Sequence, residues 1–259
     1  MLPEISGGEG TRPTPDALRQ TEALIAPLLR GLTAMSRRLD SPALLRSMIE
    51  EVFPGRIAVV TAFGAESAVL LDLVAQVDRD LPVIFLETGK HFPETLAYRD
   101  RLIEHLGLSD VRSVVPSAKA LAAEDPDGKL WSRDPDRCCT LRKVLPLEAA
   151  LKGFDAWITG RKRYQGDGRT ALEAVELVDG RFKINPLAHW SREAIEHALV
   201  ERDLPRHPLA AEGYASIGCA PCTRRATCPA ADPRSGRWAG LAKTECGIHK
   251  APWAAGLQK

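Results

Sequence analysis

No excess of charge of one sign runs through this sequence: 35 basic residues face 34 acidic ones, leaving +1 at neutral pH. Nucleic acid or an anionic membrane face would meet no bulk attraction, so any bound anion must be met by Lys and Arg placed for it. No run approaches the roughly 20 apolar residues that cross a bilayer. The opening Met1-Leu2-Pro3-Glu4 lacks the basic-then-apolar layout of a secretory signal. Internal repeats and long low-complexity runs are absent as well. Cysteine is sparse, at six residues, and without an export signal such thiols read as ligands or reactive groups, not as a disulfide framework. These absences describe a cytoplasmic protein with neither nucleic acid nor membrane as partner.

What is present is an alternating pattern on a chain long enough for one full core, or a core plus a smaller appendage. Residues 1–16 are rich in Gly, Pro and Thr and read as a mobile arm. Leu24, Ile25, Leu28, Leu29 and Leu32 then mark a helix to about Arg38, and Ser41-Pro42 caps a second that ends before Pro54-Gly55. Short apolar strands follow at Ile57–Ala62, Pro82–Leu86, Val111–Val115 and Ala156–Thr159, with helices at about Glu66–Val77 and from Pro93 to Leu106. This is the signature of an α/β fold: a mostly parallel sheet with helices on both faces. Near residue 170 the character changes. Leu172–Val178 and Phe182–Ile184 flank Asp179-Gly180, a hairpin signal, and Ser191 caps a last helix to about Glu201. Beyond Gly213 periodicity fades into a segment dense in Cys, Arg, Pro and Gly.

Ligands of open parallel sheets bind beyond the carboxyl ends of the strands, and three loops fall there. Thr61-Ala62-Phe63-Gly64-Ala65-Glu66-Ser67 would present backbone amides and a helix N-terminus to a phosphate or sulfate, although a one-glycine turn is by itself only a turn. In Leu86-Glu87-Thr88-Gly89-Lys90, small residues permit close backbone approach and Lys90 supplies charge. Arg161-Lys162-Arg163, after Thr159-Gly160, sets three cations side by side, a cost an anion would offset.

The cysteines carry the most information. Cys138-Cys139 and Cys219-Ala-Pro-Cys222 supply four thiolates that a fold could gather around zinc or an iron–sulfur cluster. A tandem pair is a poor zinc knuckle, because its side chains diverge, and so the spacing favours iron–sulfur. Arg137, Arg142 and Lys143 surround the tandem and would stabilise anionic sulfur. Cys246, in Glu245-Cys246-Gly247-Ile248-His249, stands apart as a nucleophile, with His249 placed to lower its pKa or protonate a leaving group. Gly236 and Gly240 precede it, so this segment could swing over a site. Cys228, followed by Pro229, reads as a bystander.

Together these residues resemble the assimilatory sulfonucleotide reductases, specifically the bacterial iron–sulfur adenylyl-sulfate (APS) reductases, over roughly residues 50–250. The specific part is Cys138-Cys139, Cys219-x-x-Cys222 and Glu245-Cys246-Gly247-x-His249 taken together. Arg142-Lys143-Val144-x-Pro146-Leu147, Ile158-Thr159-Gly160 and Arg234-x-x-Arg237-Trp238 accompany it. The resemblance implies an adenine-nucleotide α-hydrolase-like (PP-loop) fold. Its divisions would be an N-terminal arm and helix (1–40), an α/β nucleotide-binding domain (41–212) and a C-terminal segment (213–259) with cluster ligands and the catalytic cysteine. It implies one [4Fe–4S] cluster per chain on Cys138, Cys139, Cys219 and Cys222, and Cys246 as the nucleophile that takes the sulfo group of APS and releases AMP. Thioredoxin or a glutaredoxin-like dithiol would free sulfite, a step of sulfate assimilation towards cysteine. Lys143, Arg163, Arg234, Arg237 and His249 would line the phosphosulfate, with Thr61, Gly64, Ser67, Thr88 and Gly89 around the nucleotide. Departures from the pattern are Thr61 for Ser, Phe63 for a small residue, Glu87 for Asp, Tyr164 and Gly166 for an acidic residue and Ser, and the extra Cys228.

Three other readings compete. A 3′-phosphoadenylyl-sulfate (PAPS) reductase would run the same chemistry on another nucleotide. An ATP-dependent PP-loop enzyme, such as a tRNA thiolase with a cluster, would need a Ser-Gly-Gly-x-Asp-Ser type loop, whereas this loop reads Phe63-Gly64-Ala65-Glu66-Ser67. A zinc-stabilised binding module would leave Cys246 and His249 idle. The oligomeric state, a homo-oligomer included, is not written in the sequence.

Overall fold

The computed structural model describes residues 15–229 and 232–249. The arm expected over residues 1–16 falls outside them except for its last two residues, which already belong to the first helix. That helix, α1 (Pro15–Ser36), packs Ile25, Leu28, Leu29 and Leu32 against the main core. α2 (Ser41–Arg46) is capped by Asp40, whose carboxylate accepts from the Ala43 amide; Ser41, the expected cap, instead donates to the Pro186 carbonyl at 2.6 Å.

The chain then alternates through β1 (Ile57–Thr61), α3 (Ser67–Ala75), β2 (Val83–Leu86), α4 (Pro93–Leu106) and β3 (Val111–Val114). Four short helices follow: α5 (Ala118–Glu124), α6 (Leu130–Arg133), α7 (Pro135–Cys139) and α8 (Leu145–Ala150). β4 (Ala156–Ile158), the hairpin β5 (Val175–Val178) and β6 (Arg181–Ile184), and α9 (Arg192–Glu201) complete the regular structure. The strands form one sheet in the order β3-β2-β1-β4-β6-β5, parallel throughout except for β5. This is the mostly parallel, helix-covered α/β sheet expected, ending in an irregular Cys-rich segment. No helix of the described residues is long and apolar enough to cross a membrane.

Strand pleating separates two apolar layers. Ile57, Val59, Val83, Phe85, Ile158, Phe182 and Ile184 face α1–α4 and α9, whereas Ala58, Val60, Ile84, Leu86 and Trp157 face α8 and the C-terminal residues Cys246 and Ile248. The chain runs outward from β1 through β2 to β3, then returns to the other side of β1 at β4. The switch point therefore lies between the carboxyl ends of β1 and β4, where a doubly wound sheet opens a crevice.

Thr140–Val144, between α7 and α8, is a π-helical turn. The Leu145 amide reaches back five residues to the Thr140 carbonyl, and Pro146 has no N–H to donate. This wider turn carries Arg142 and Lys143, directly after the tandem cysteines.

Candidate active site

The loop after β1 is tied by short bonds. The Thr61 hydroxyl accepts from the Phe63 amide at 3.1 Å and lies 3.4 Å from the Ser67 hydroxyl. Phe63 takes a positive φ of 46° and buries its ring edge-on against Phe85, which is how this loop accommodates a bulky residue. Glu66, at the start of α3, accepts from Lys162 (2.7 Å), Tyr164 (2.6 Å) and Gln165 (2.8 Å). Burial opposes its ionisation, but Lys162 and those hydrogen bonds hold it below the usual carboxylate range.

Between this loop and the one after β4 lies an open cleft, at the switch point. Six cations line it, Lys143, Arg161, Lys162, Arg169, Arg234 and Arg237, against two carboxylates, Glu66 and Glu245. Thr61, Gly64, Ser67, Cys246 and His249 are also on its walls. A chain with a net charge of only +1 thus concentrates positive charge in one place.

The C-terminal segment forms the far wall. Trp238 is buried, and the cations of Arg237, Lys243 and Arg234 lie 4.6, 5.4 and 5.9 Å from its ring centroid. The indole face thereby gathers the arginines beside the cleft. Glu245 binds the Arg169 guanidinium through both oxygens and accepts from Arg234 at 3.3 Å. Gly247 then lets the turn Gly247–His249 sit against the π-helical turn: a Cβ there would come within 2.9 Å of a Val144 methyl. Ligand atoms of Glu245, Cys246 and His249 all lie within 4.8 Å of one another. The His249 ring stacks on Trp157, and burial, reinforced by Lys183, Arg161, Arg169 and Arg234, holds its pKa well below the usual value. It is a neutral imidazole at physiological pH.

Cys138, Cys139, Cys219 and Cys222 together line a separate, smaller cavity. The fold thus gathers thiols that are some eighty residues apart. Burial pushes Cys138 up to about 12 and Cys139 up to about 11. Burial also resists ionisation of Cys219, yet Lys143 and a hydroxyl contact from Thr88 at 3.3 Å bring this thiol below its usual value. Lys143 lines both the cleft and the cavity, as does Trp238. Burial works against its charge, but Cys219, Cys246 and Cys139 raise its pKa. One ammonium group faces both sets of sulfur.

Several expectations need correction. Thr88 and Gly89 do not line the cleft: Thr88 is fully buried against Cys219, with its carbonyl held by Arg142 at 2.7 Å, and Gly89 is exposed on the cavity side. The second loop serves the cysteine cavity. Arg163 also points elsewhere, donating to the Leu172 carbonyl at 2.7 Å and pairing with Glu173. The three adjacent cations do not wait for a shared anion, since Arg161 pairs with Glu176 and Lys162 with Glu66. Arg137 is likewise held by Glu124 and Arg142 by Asp125, yet Arg142 still lines the cysteine cavity and favours ionisation of Cys138, as Lys143 does for Cys139 and Cys219. Arg169 was missed; it sits in an irregular stretch with no motif to mark it.

Residues 56–225 match the phosphoadenosine phosphosulfate reductase domain family. The chain is 47% identical over 239 residues to an adenosine 5′-phosphosulfate reductase of Mesorhizobium japonicum, covering 92% of this chain and 94% of that protein. A phosphoadenosine 5′-phosphosulfate reductase of Gloeobacter violaceus is 44% identical over 202 residues, 76% of this chain and 83% of the relative. Among solved structures, the phosphoadenylyl-sulfate reductase of Candida auris in a phosphate complex superposes with a TM-score of 0.64 at 25% identity, over 83% of this chain and 99% of that one.

Proposed function

The chain belongs to the phosphoadenosine phosphosulfate reductase domain family, and from that membership and the cleft we propose that it reduces APS to sulfite and AMP. The electrons come from thioredoxin or a glutaredoxin-like dithiol, and the reaction is a cytoplasmic step of sulfate assimilation towards cysteine. The observation that carries this reading is the place of Cys246: a half-buried thiol on the wall of a cleft with six cations and two carboxylates.

An anionic sulfate ester repels a thiolate, so the attack needs positive charge already in position. The Cys246 thiolate attacks the sulfur of the sulfo group. An S–S bond forms, the bond from sulfur to the bridging phosphate oxygen breaks, and AMP leaves with the electron pair. Lys143, Arg234 and Arg237 bind the phosphosulfate and its developing charge. Thr61, Gly64 and Ser67 receive the nucleotide at the N-terminus of α3, and neutral His249 offers a ring nitrogen beside the reacting sulfur. A dithiol then attacks Cys246 Sγ, sulfite departs with the electron pair, and the second thiol resolves the mixed disulfide. Cys246 returns as thiol and the reductant is left as a disulfide.

Four cysteine sulfurs around one cavity fit a [4Fe–4S] cluster, with Cys138, Cys139, Cys219 and Cys222 as its ligands. When bound, the cluster supplies a fixed local charge beside Lys143 and ties α7 to the C-terminal segment.

Intact-protein mass spectrometry after anaerobic incubation with APS, without reductant, tests the reading. One added SO3 group mapping to Cys246, released as sulfite by thioredoxin, is expected. An adduct with PAPS alone would move the substrate, a reading favoured by the Gloeobacter and Candida relatives. No adduct with either, on cluster-loaded protein, would reject the reductase reading.

A further inference from the structure

Lys183, on β6, has no part in the chemistry above, yet its place in the fold is unusual for a lysine. Its side chain is fully buried, and its Nζ has no hydrogen-bond partner. An unpaired ammonium in such a place is costly. Burial first, then Arg161, lowers its pKa to about 7, against the opposing pull of Glu176, Cys246 and Glu245.

The nearby acids are engaged elsewhere. Glu176, its partner across the β5–β6 pair, holds Arg161 and the Asn185 amide. Glu245, on the C-terminal segment, holds Arg169 and Arg234. What Lys183 touches is an aromatic face: Nζ lies 4.7 Å from the Trp157 ring centroid, and the two residues are register partners on β4 and β6. The His249 ring stacks on that same indole, 6.1 Å between centroids and 2° from parallel, with Nδ1 buried and unbonded. Trp157 also belongs to the apolar layer that receives Cys246 and Ile248. An amine without a hydrogen-bonded counter-ion is therefore fixed beneath the reactive turn. A charge so placed favours a state in which negative charge appears nearby over one in which it does not.

We propose that Lys183 is a positioning residue, the counter-charge for the anionic sulfo group that Cys246 carries, acting through the Trp157–His249 stack without touching the nucleotide. The inference rests on the S-sulfocysteine reading above. Arrival of the sulfo group draws a proton onto Lys183, and adduct formation slows once pH rises far enough to leave the amine neutral.

The test is single-turnover adduct formation with APS, by rapid-quench mass spectrometry from pH 6 to 9, on cluster-loaded wild type, Lys183→Met and Lys183→Arg. Wild type should show an alkaline fall in rate. Lys183→Met should be about tenfold slower at pH 6.5, the equivalent of about 1.4 kcal/mol, and should lack that fall. Lys183→Arg, permanently charged, should recover most of the rate and hold it to pH 9. A wild-type profile and rate in Lys183→Met, or an unmoved alkaline limb in Lys183→Arg, would overturn the inference. If the Met variant does not fold, the Arg variant alone decides by the position of its limb. No adduct in wild type at any pH would instead remove the S-sulfocysteine reading on which the inference stands.

Discussion

Glu245 is held through both carboxylate oxygens by Arg169, a residue 76 positions earlier in the chain. The side chain next to Cys246 is thus clamped to the cleft wall, with only 7% and 15% of the two side chains exposed. Losing one partner of such a pair strands the other in a poorly solvated place. Arg169→Ala should lower kcat/KM for sulfite release about a hundredfold, because Cys246, the proposed nucleophile, loses its fixed position. Glu245→Gln, which keeps the shape and loses the charge, should cost less. Activity of Arg169→Ala within threefold of wild type would show that the clamp is irrelevant to turnover.

The two classes of cysteine should separate experimentally. Cys246 faces the cleft and Cys139 faces the cavity. Cys246→Ser should abolish turnover and the SO3 adduct while keeping the colour and iron content that the proposed [4Fe–4S] cluster would give. Cys139→Ser should lose colour and activity together. Iron analysis with visible absorbance, run beside the sulfite assay, checks both. A Cys246→Ser enzyme that still turned over would reassign the nucleophile.

Much of this site was legible in the sequence because it rests on residue types that few roles can explain. Tandem and paired cysteines pointed to one centre, and the structure brings all four to one cavity. The loop after β1 was found by the rule that crevices open at strand carboxyl ends, and so was the loop after β4. The same rule failed for Thr88 and Gly89 because β2 lies beside the switch point, and its loop is drawn to the cysteine side. There the Lys90 backbone carbonyl accepts from the Ala220 amide at 2.7 Å and Arg142 donates to the Thr88 carbonyl. Helices α5 to α8 went unread because pieces of four to seven residues carry too little periodicity. Arg169 and Lys183 went unread because their meaning lies in long-range partners, Glu245 and Trp157.

Gly218 makes room for a cation of the cleft wall, Arg237. A Cβ at this position would lie 2.4 to 2.6 Å from the Arg237 guanidinium. Arg237 is flexible at that end, so Gly218→Ala should displace it with little cost to folding. The expected result is a KM for APS raised about tenfold with Tm within about 2 °C of wild type. A matching loss of Tm would instead locate the damage in the fold, and an unchanged KM would remove Arg237 from the binding wall.

Acid stability should report on His207. Its ring is buried beside Tyr98, its Nδ1 accepts from the Leu209 amide at 3.2 Å, and its Nε2 lies 3.0 Å from the Thr95 hydroxyl. With Nδ1 accepting, the proton sits on Nε2, and protonating Nδ1 would break the Leu209 bond. Burial lowers this pKa from 6.5 to about 4. The unfolded chain therefore takes up a proton first as pH falls, so the native state loses stability between about 6.5 and 4. Above that window the neutral ring contributes its full share. His207→Asn keeps an acceptor for the Leu209 amide and cannot ionise, so its stability should fall less steeply over the same interval. Urea unfolding of both proteins at pH 7.5, 6, 5 and 4 checks this. Taking the difference between the two cancels any acid sensitivity of the cysteine cavity. Curves that run parallel down to pH 4 would mean that His207 does not titrate there and that acid acts elsewhere in the fold.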